Sequence, residues 1–129
     1  MVIDNSLLDQ LSKSANQNPR LRTSFDLRNS DKDHSQRMLN ALQPGTILPI
    51  HRHPLTSETL IMLRGCICQK FYNEKGELIE QFILSANGEC SAIQIPAGQF
   101  HSLECLEVDT VIFEAKDGPY MPVLSEDIL

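Results

Sequence analysis

At 129 residues, 41% hydrophobic and 22% charged, the chain has the size and composition of one globular domain able to bury its own core. Its formal net charge of -6 argues against nucleic acid as a partner, because phosphate binding runs on clustered lysine and arginine. The opening Met1-Val2-Ile3-Asp4-Asn5 lacks the basic start and apolar stretch of a signal peptide, and no apolar run approaches the roughly 20 residues that cross a bilayer. The expectation is a cytoplasmic protein with no membrane partner.

One segment reads as helix. Ser6-Leu7-Leu8-Asp9 resembles a capping box, and Leu7, Leu8, Leu11 and Ala15 then share one helical face until Pro19 ends the run, which predicts a helix over 6–17. Residues 20–35 are polar and irregular, and read as a loop or a loosely held edge strand. From Gln36 the pattern changes to short β-like runs at 37–43, 46–51, 58–64, 66–72, 77–84, 91–95, 101–107 and 109–115. Pro44-Gly45, Asn73-Glu74-Lys75-Gly76 and Asn87-Gly88 mark reversals between them, and Asp117-Gly118-Pro119-Tyr120 breaks the last strand before an extended tail. Many short, evenly spaced strands imply a closed or sandwiched all-β architecture. In 58–64, Glu58, Leu60 and Met62 share one side, with Thr59, Ile61 and Leu63 on the other; both sides are apolar, so both are expected to be covered, by the helix or by a second subunit.

The four cysteines, Cys66, Cys68, Cys90 and Cys105, show neither disulfide-framework spacing nor a C-x-x-C pair, and are read as buried reduced thiols. Three of the four histidines carry a stronger signal. They fall in two compact clusters, Gly45-x5-His51-x-His53-x4-Glu58-x6-Gly65 and Pro96-x-Gly98-x2-His101. In a strand, residues i and i+2 share a face with Cα atoms roughly 6.6 Å apart, so His51 and His53 can aim at one point while Arg52 faces away. A turn over Pro54–Ser57 would return Glu58 beside them, and Pro96-Ala97-Gly98 starts a further strand with His101 just inside it. An isolated H-x-H is ordinarily two surface histidines. Three imidazoles with one carboxylate, however, form a complete donor set for a divalent transition metal, whereas Mg and Ca prefer all-oxygen shells. Four protein ligands around an octahedral ion leave two positions for water or substrate, the mark of a catalytic or ligand-binding metal. His34 lies outside both clusters and reads as a solvated loop residue.

The two clusters resemble the motifs of the cupin superfamily over about residues 36–116, the first at every fixed position. The resemblance implies a double-stranded β-helix, or jelly-roll barrel, with the metal inside. The second cluster departs from the pattern: Cys90 stands where the family has a glycine six residues before the proline, and Cys105 where it has an asparagine four residues after the histidine. Neither is a metal ligand, and Cys105 shares the parity of His101, which places it deeper along the same cavity. Asn18-Pro19-Arg20, Gln36–Gly45, His51-Arg52-His53-Pro54 and Phe113–Tyr120 are also similar to the small WbuC-type cupins, metalloproteins often encoded among surface-polysaccharide genes.

The chain is therefore expected to be a single domain: an N-terminal helix and loop over 1–35, a cupin barrel over 36–116 and an extended tail over 117–129. The metal ligands are His51, His53, Glu58 and His101, holding one divalent ion (Fe, Mn, Ni or Zn). The expected function is an isomerase, lyase or oxygenase acting on a small oxygen-rich substrate such as a sugar or keto acid, or else a non-catalytic binding module using the same pocket. No separate nucleophile with its own base is apparent, so no catalytic side chain is assigned. Arg37, Lys116 and Tyr120 are candidates for anchoring an anionic group, and pairing of barrels is expected to give a homodimer.

Overall fold

The computed structural model describes all residues, Met1–Leu129. Helix α1 spans Asn5–Gln17 and is followed by eight strands: β1 (Arg22–Asp26), β2 (Ser35–Leu42), β3 (Glu58–Arg64), β4 (Cys66–Tyr72), β5 (Leu78–Ser85), β6 (Ala92–Ile95), β7 (Phe100–Cys105) and β8 (Thr110–Asp117). A short 3-10 turn at Ser125–Asp127 lies near the C-terminus. The strands form a five-stranded sheet in the order β1-β2-β8-β3-β6 and a three-stranded sheet in the order β5-β4-β7, every pair antiparallel. Crossovers between strands that are not consecutive in sequence give the two sheets a jelly-roll arrangement, as the resemblance implies.

Strand parity decides what faces the interior. On β2, Gln36, Met38, Asn40 and Leu42 line an internal cavity, while Leu39 and Ala41 are fully buried on the opposite side. That opposite side is covered by α1, whose Leu8, Leu11 and Ala15 pack on Leu39, Ala41 and Val111. Burying each leucine there contributes on the order of 1.5–3 kcal/mol. The second apolar cluster lies between the sheets and joins Leu42, Leu60, Met62, Ile67, Leu84, Cys105 and Ile112. Cys105 thus belongs to the inter-sheet core, where its thiol donates to the Glu107 carbonyl at 3.1 Å, and is not among the residues lining the cavity. Burial pushes its thiol pKa up.

Two features, the helix cap and residues 46–51, differ from the pattern-based expectation, and a third, the stretch after the helix, takes one of the two forms that expectation allowed. The helix cap is Asp4, not Ser6: the Asp4 carboxylate accepts from the Leu7 N–H at 3.0 Å, and Asp9 instead receives the Arg64 guanidinium at 2.7 Å, tying α1 to β3. The polar stretch after the helix contains β1, an edge strand in register with β2 from Arg22↔Leu42 to Asp26↔Met38. Residues 46–51 form no regular strand; only His51 makes ladder contacts, and Pro49 and Pro54 on either side have no N–H to extend them.

At the β3–β4 turn, Gly65 has φ +86°, and a Cβ there would overlap the Thr110 hydroxyl and lie 2.8 Å from the Thr110 Cα. Only glycine accommodates both the conformation and the approach. The outer face of β3 is less well covered than its sequence suggests: Ile61 and Leu63 remain 39% and 38% exposed, because α1 sits over β1, β2 and β8 instead.

Candidate metal centre

His51, His53 and His101 form a cluster able to bind a metal ion, their candidate ligand atoms lying within 4.8 Å of one another. His51 and His101 are joined by a reciprocal backbone pair, with the His51 N–H donating to the His101 carbonyl at 3.1 Å and the reverse bond at 2.8 Å. The other side of the His51 segment is held by the C-terminus. The Arg52 N–H donates to the Asp127 carbonyl at 2.9 Å, the Leu129 N–H donates to the Ile50 carbonyl at 2.8 Å, and Ile128 forms a bridge with His51. Arg52, pointing away from the histidines as alternation predicts, donates from Nε to the buried Asp127 carboxylate at 2.8 Å and lies 4.6 Å from the Phe100 ring centre. Gly98 donates its N–H to the His53 carbonyl at 2.8 Å and fixes the end of the segment.

Glu58 reaches the cluster by a route other than the expected hairpin. Its strand pairs with β6 and β8, so it approaches from the larger sheet, across the interior from the smaller sheet that carries His101. Its Oε2 lies 3.4 Å from His53 Nε2 and 3.5 Å from His101 Nε2, is buried, and has no hydrogen-bond partner. Burial acts to raise the Glu58 pKa, but its interactions with His101 and His53 outweigh this and hold the carboxyl well below its usual range.

Two of the rings are oriented by backbone carbonyls. The Nδ1 of His51 is 3.0 Å from the Pro49 carbonyl and that of His101 is 2.8 Å from the Gln99 carbonyl. A carbonyl only accepts, so each Nδ1 carries a proton, and in a neutral ring the Nε2 is then the nitrogen that presents a lone pair. The third ring, His53, has the Lys116 ammonium 3.2 Å from its Nδ1 instead. Burial and the neighbouring His101 lower the His51 pKa, which favours the neutral ring.

The cavity over this cluster has a volume of about 270 Å³. Its wall is apolar at Leu42, Leu60, Ile95 and Ile112, and Tyr120, Met121 and Val123 lie across it from the C-terminal segment. Pattern reading missed Glu114, which alternates inward on β8 between Ile112 and Lys116. Burial and the adjacent Glu58 charge push the Glu114 carboxyl well above its usual range, while the nearby Asn40 side chain acts in the opposite direction. The signal was present: a carboxylate sharing parity with a core isoleucine. Lys116 and Tyr120 line the cavity, but Arg37 does not. It faces outward, donating to the Ser35 carbonyl at 2.9 Å and to Asp33 at 3.0 Å, and so organises the 27–35 loop. His34 is exposed, as expected.

A family model described as a domain of unknown function (DUF6016) matches residues 3–84. No curated protein matches the chain. Among solved structures, the chain is similar to the capsular polysaccharide assembling protein CapF from Staphylococcus aureus, with 20% identity, a TM-score of 0.63, and coverage of 87% of this chain and 32% of that one. It is also similar to KdgF from Halomonas sp., with 14% identity, a TM-score of 0.62, and coverage of 81% and 84%. A third likeness is to an oxalate oxidase in complex with the substrate analogue glycolate, with 14% identity, a TM-score of 0.63, and coverage of 83% and 56%. The chain spans about a third of the length of CapF. These likenesses carry the architecture, and the matched model carries the family: the chain belongs to the DUF6016 family and has the cupin fold.

Proposed function

We propose that His51, His53, Glu58 and His101 hold one divalent transition metal ion, and that the cavity presents a small oxygen-rich molecule, a sugar or keto acid, to its open positions for isomerase, lyase or oxygenase chemistry. The observation that carries this reading is the buried Glu58 Oε2, unpaired and aimed between two imidazole Nε2 atoms. A buried carboxylate oxygen left without a partner costs several kcal/mol, on the order of the penalty for an uncompensated buried charge. A cation accounts for it, and three neutral imidazoles with one carboxylate suit Fe, Mn, Ni or Zn. When bound, such an ion supplies Lewis acidity toward a carbonyl or, as Fe(II), a site for O₂ chemistry.

The chain's own groups set the surroundings. The Pro49 and Gln99 carbonyls orient His51 and His101. Glu114, its carboxyl pushed above the usual range by burial and the Glu58 charge, adjoins the proposed ligand carboxylate, which is itself held below its usual range. The leucine and isoleucine residues make part of the cavity wall apolar. No serine or cysteine nucleophile with a base lines the cavity, so the proposed chemistry is metal-dependent. The likeness to CapF supports a role in surface-polysaccharide metabolism, in line with the WbuC-type resemblance. We place the protein in the cytoplasm, as a homodimer using the exposed Ile61 and Leu63 face; light scattering at micromolar concentration tests the dimer.

Elemental analysis of protein purified without added metal tests the central claim. About one equivalent in the native protein is expected, with loss in His51→Ala and His101→Ala. Native protein free of metal after gentle purification refutes it. Tight ligand binding without turnover across the Fe, Mn, Ni and Zn forms would instead identify a binding module.

A further inference from the structure

The cavity has a second polar end. Arg22, on β1, lines it, and its Nη1 donates to the Ile47 carbonyl at 2.8 Å and the Thr46 hydroxyl at 3.3 Å. These contacts fix the guanidinium but use only neutral acceptors. Arg28, Arg37, Arg52 and Arg64 each have a carboxylate within 4.0 Å, whereas Arg22 has none, although the chain carries 17 acidic residues against 11 basic ones. Arg20 stands close enough for its charge to add to the local positive field. A positioned guanidinium with unused donors facing a cavity is suited to a carboxylate or phosphate.

Between the two ends, Gln69 lines the same cavity. It is 1% exposed, and its Nε2 donates to the Ser102 carbonyl at 2.9 Å while its Oε1 is buried without a partner. That oxygen calls for a hydroxyl or amide donor. The register sets the scale. Arg22 is level with Leu42 and thus with Thr110, whereas Glu58 is level with Lys116, six residues further along β8, or roughly 20 Å of strand. The Arg22 side chain closes part of that gap, but a two-carbon acid at the metal end does not bridge the remainder.

We infer that the cavity takes an elongated hydroxylated ligand with chelating oxygens at the His–Glu cluster and a carboxylate or phosphate on Arg22. This rests on the metal reading above and specifies the substrate class of that site.

The test uses metal-loaded wild-type, Arg22→Gln and Arg22→Lys proteins, with metal content and melting temperature measured for each. Binding of glucose 6-phosphate, glucuronate, glucose and oxalate is followed by calorimetry. Wild type is expected to bind one of the two anionic sugars at least tenfold more tightly than glucose. Arg22→Gln should weaken that ligand by about ten- to a hundredfold, the range for a lost charge-assisted pair, with partial recovery in Arg22→Lys and no change for oxalate. Which anionic sugar responds separates phosphate from carboxylate. Equal binding of anionic and neutral sugars, binding of neither anionic sugar, or an Arg22→Gln variant with wild-type affinity overturns the inference while the metal content stands. Wild-type protein that fails to load metal shows instead that the underlying reading is wrong.

Discussion

The C-terminal residues flank the segment that carries His51 and His53, the proposed metal ligands, and Asp127→Ala measures how far the histidines depend on them. Asp127 is 4% exposed and accepts from the Arg52 Nε at 2.8 Å. A hydrogen bond to a charged group is worth about 1.5–3 kcal/mol, but the Arg52 side chain is 28% exposed and regains water when released, which reduces the expected loss to about 1–2 kcal/mol. Arg52 lies between His51 and His53, and on the tail side its segment is held by the Arg52–Asp127 and Leu129–Ile50 backbone bonds and the side-chain pair. If the lost energy appears as local opening of this segment, metal affinity falls by the same amount, roughly 5- to 30-fold. Metal titration against a competing chelator reads that change, and hydrogen exchange at the Arg52 amide reads the opening. A dissociation constant within twofold of wild type, together with a lowered melting temperature, would show that the tail supports the barrel and not the ligands.

Two further predictions concern the fold and the carboxylate pair. Gly65→Ala should cost about 3 kcal/mol or more, because it adds a clash with Thr110 to the strain of a positive φ, whereas Gly76→Ala, at φ +79° in open space, should cost only about 1 kcal/mol; urea unfolding separates them, and equal losses would refute the steric argument. Glu114 has a pKa raised above the ordinary 4.5, so over the interval above 4.5 the folded state binds more protons than the unfolded state and stability falls as pH rises. Glu114→Gln, measured in chelator-treated protein, should remove that decline and leave the opposite dependence from Glu58, whose lowered pKa contributes stability above 4.5 that is lost in acid. A wild-type slope retained in Glu114→Gln would assign the decline to another group.

Strand identity was legible wherever apolar residues alternate between turn residues: 58–64 and 66–72 match β3 and β4, because Glu58, Leu60, Met62 and then Ile67, Gln69 and Phe71 alternate into the interior. The segment 46–51 was misleading because Ile47, Leu48 and Ile50 look strand-like while Pro49 blocks the ladder, leaving Ile47 84% exposed. The helix start was shifted because Ser6 and Asp9 satisfy the spacing of a capping box. Spacing does not disclose that Asp9 has a stronger partner in Arg64, 55 residues away, or that Asp4 is free to cap.

The site shows where local pattern stops informing. The spacing and donor types of four side chains match what an ion would need, and the structure brings all four side chains together. The means of convergence was not legible in that spacing. A hairpin from 51–53 to 58 is the shortest path in sequence, yet the chain leaves His53 and re-enters on the opposite sheet, so Glu58 faces the histidines across the interior instead of beside them. That crossing brings β8 alongside β3, setting Glu114 level with Leu60 and Lys116 level with Glu58. Neither Glu114 nor Lys116 has spacing related to the histidines; strand parity turns both inward, and sheet order sets them beside Glu58. The same reasoning applies to Arg22 and Asp127, each brought to the cavity or its ligand segment by contacts spanning 24 or more residues. The proposed metal ligands are thus constrained by local chemistry, whereas the residues packed around them are constrained only by the closed barrel.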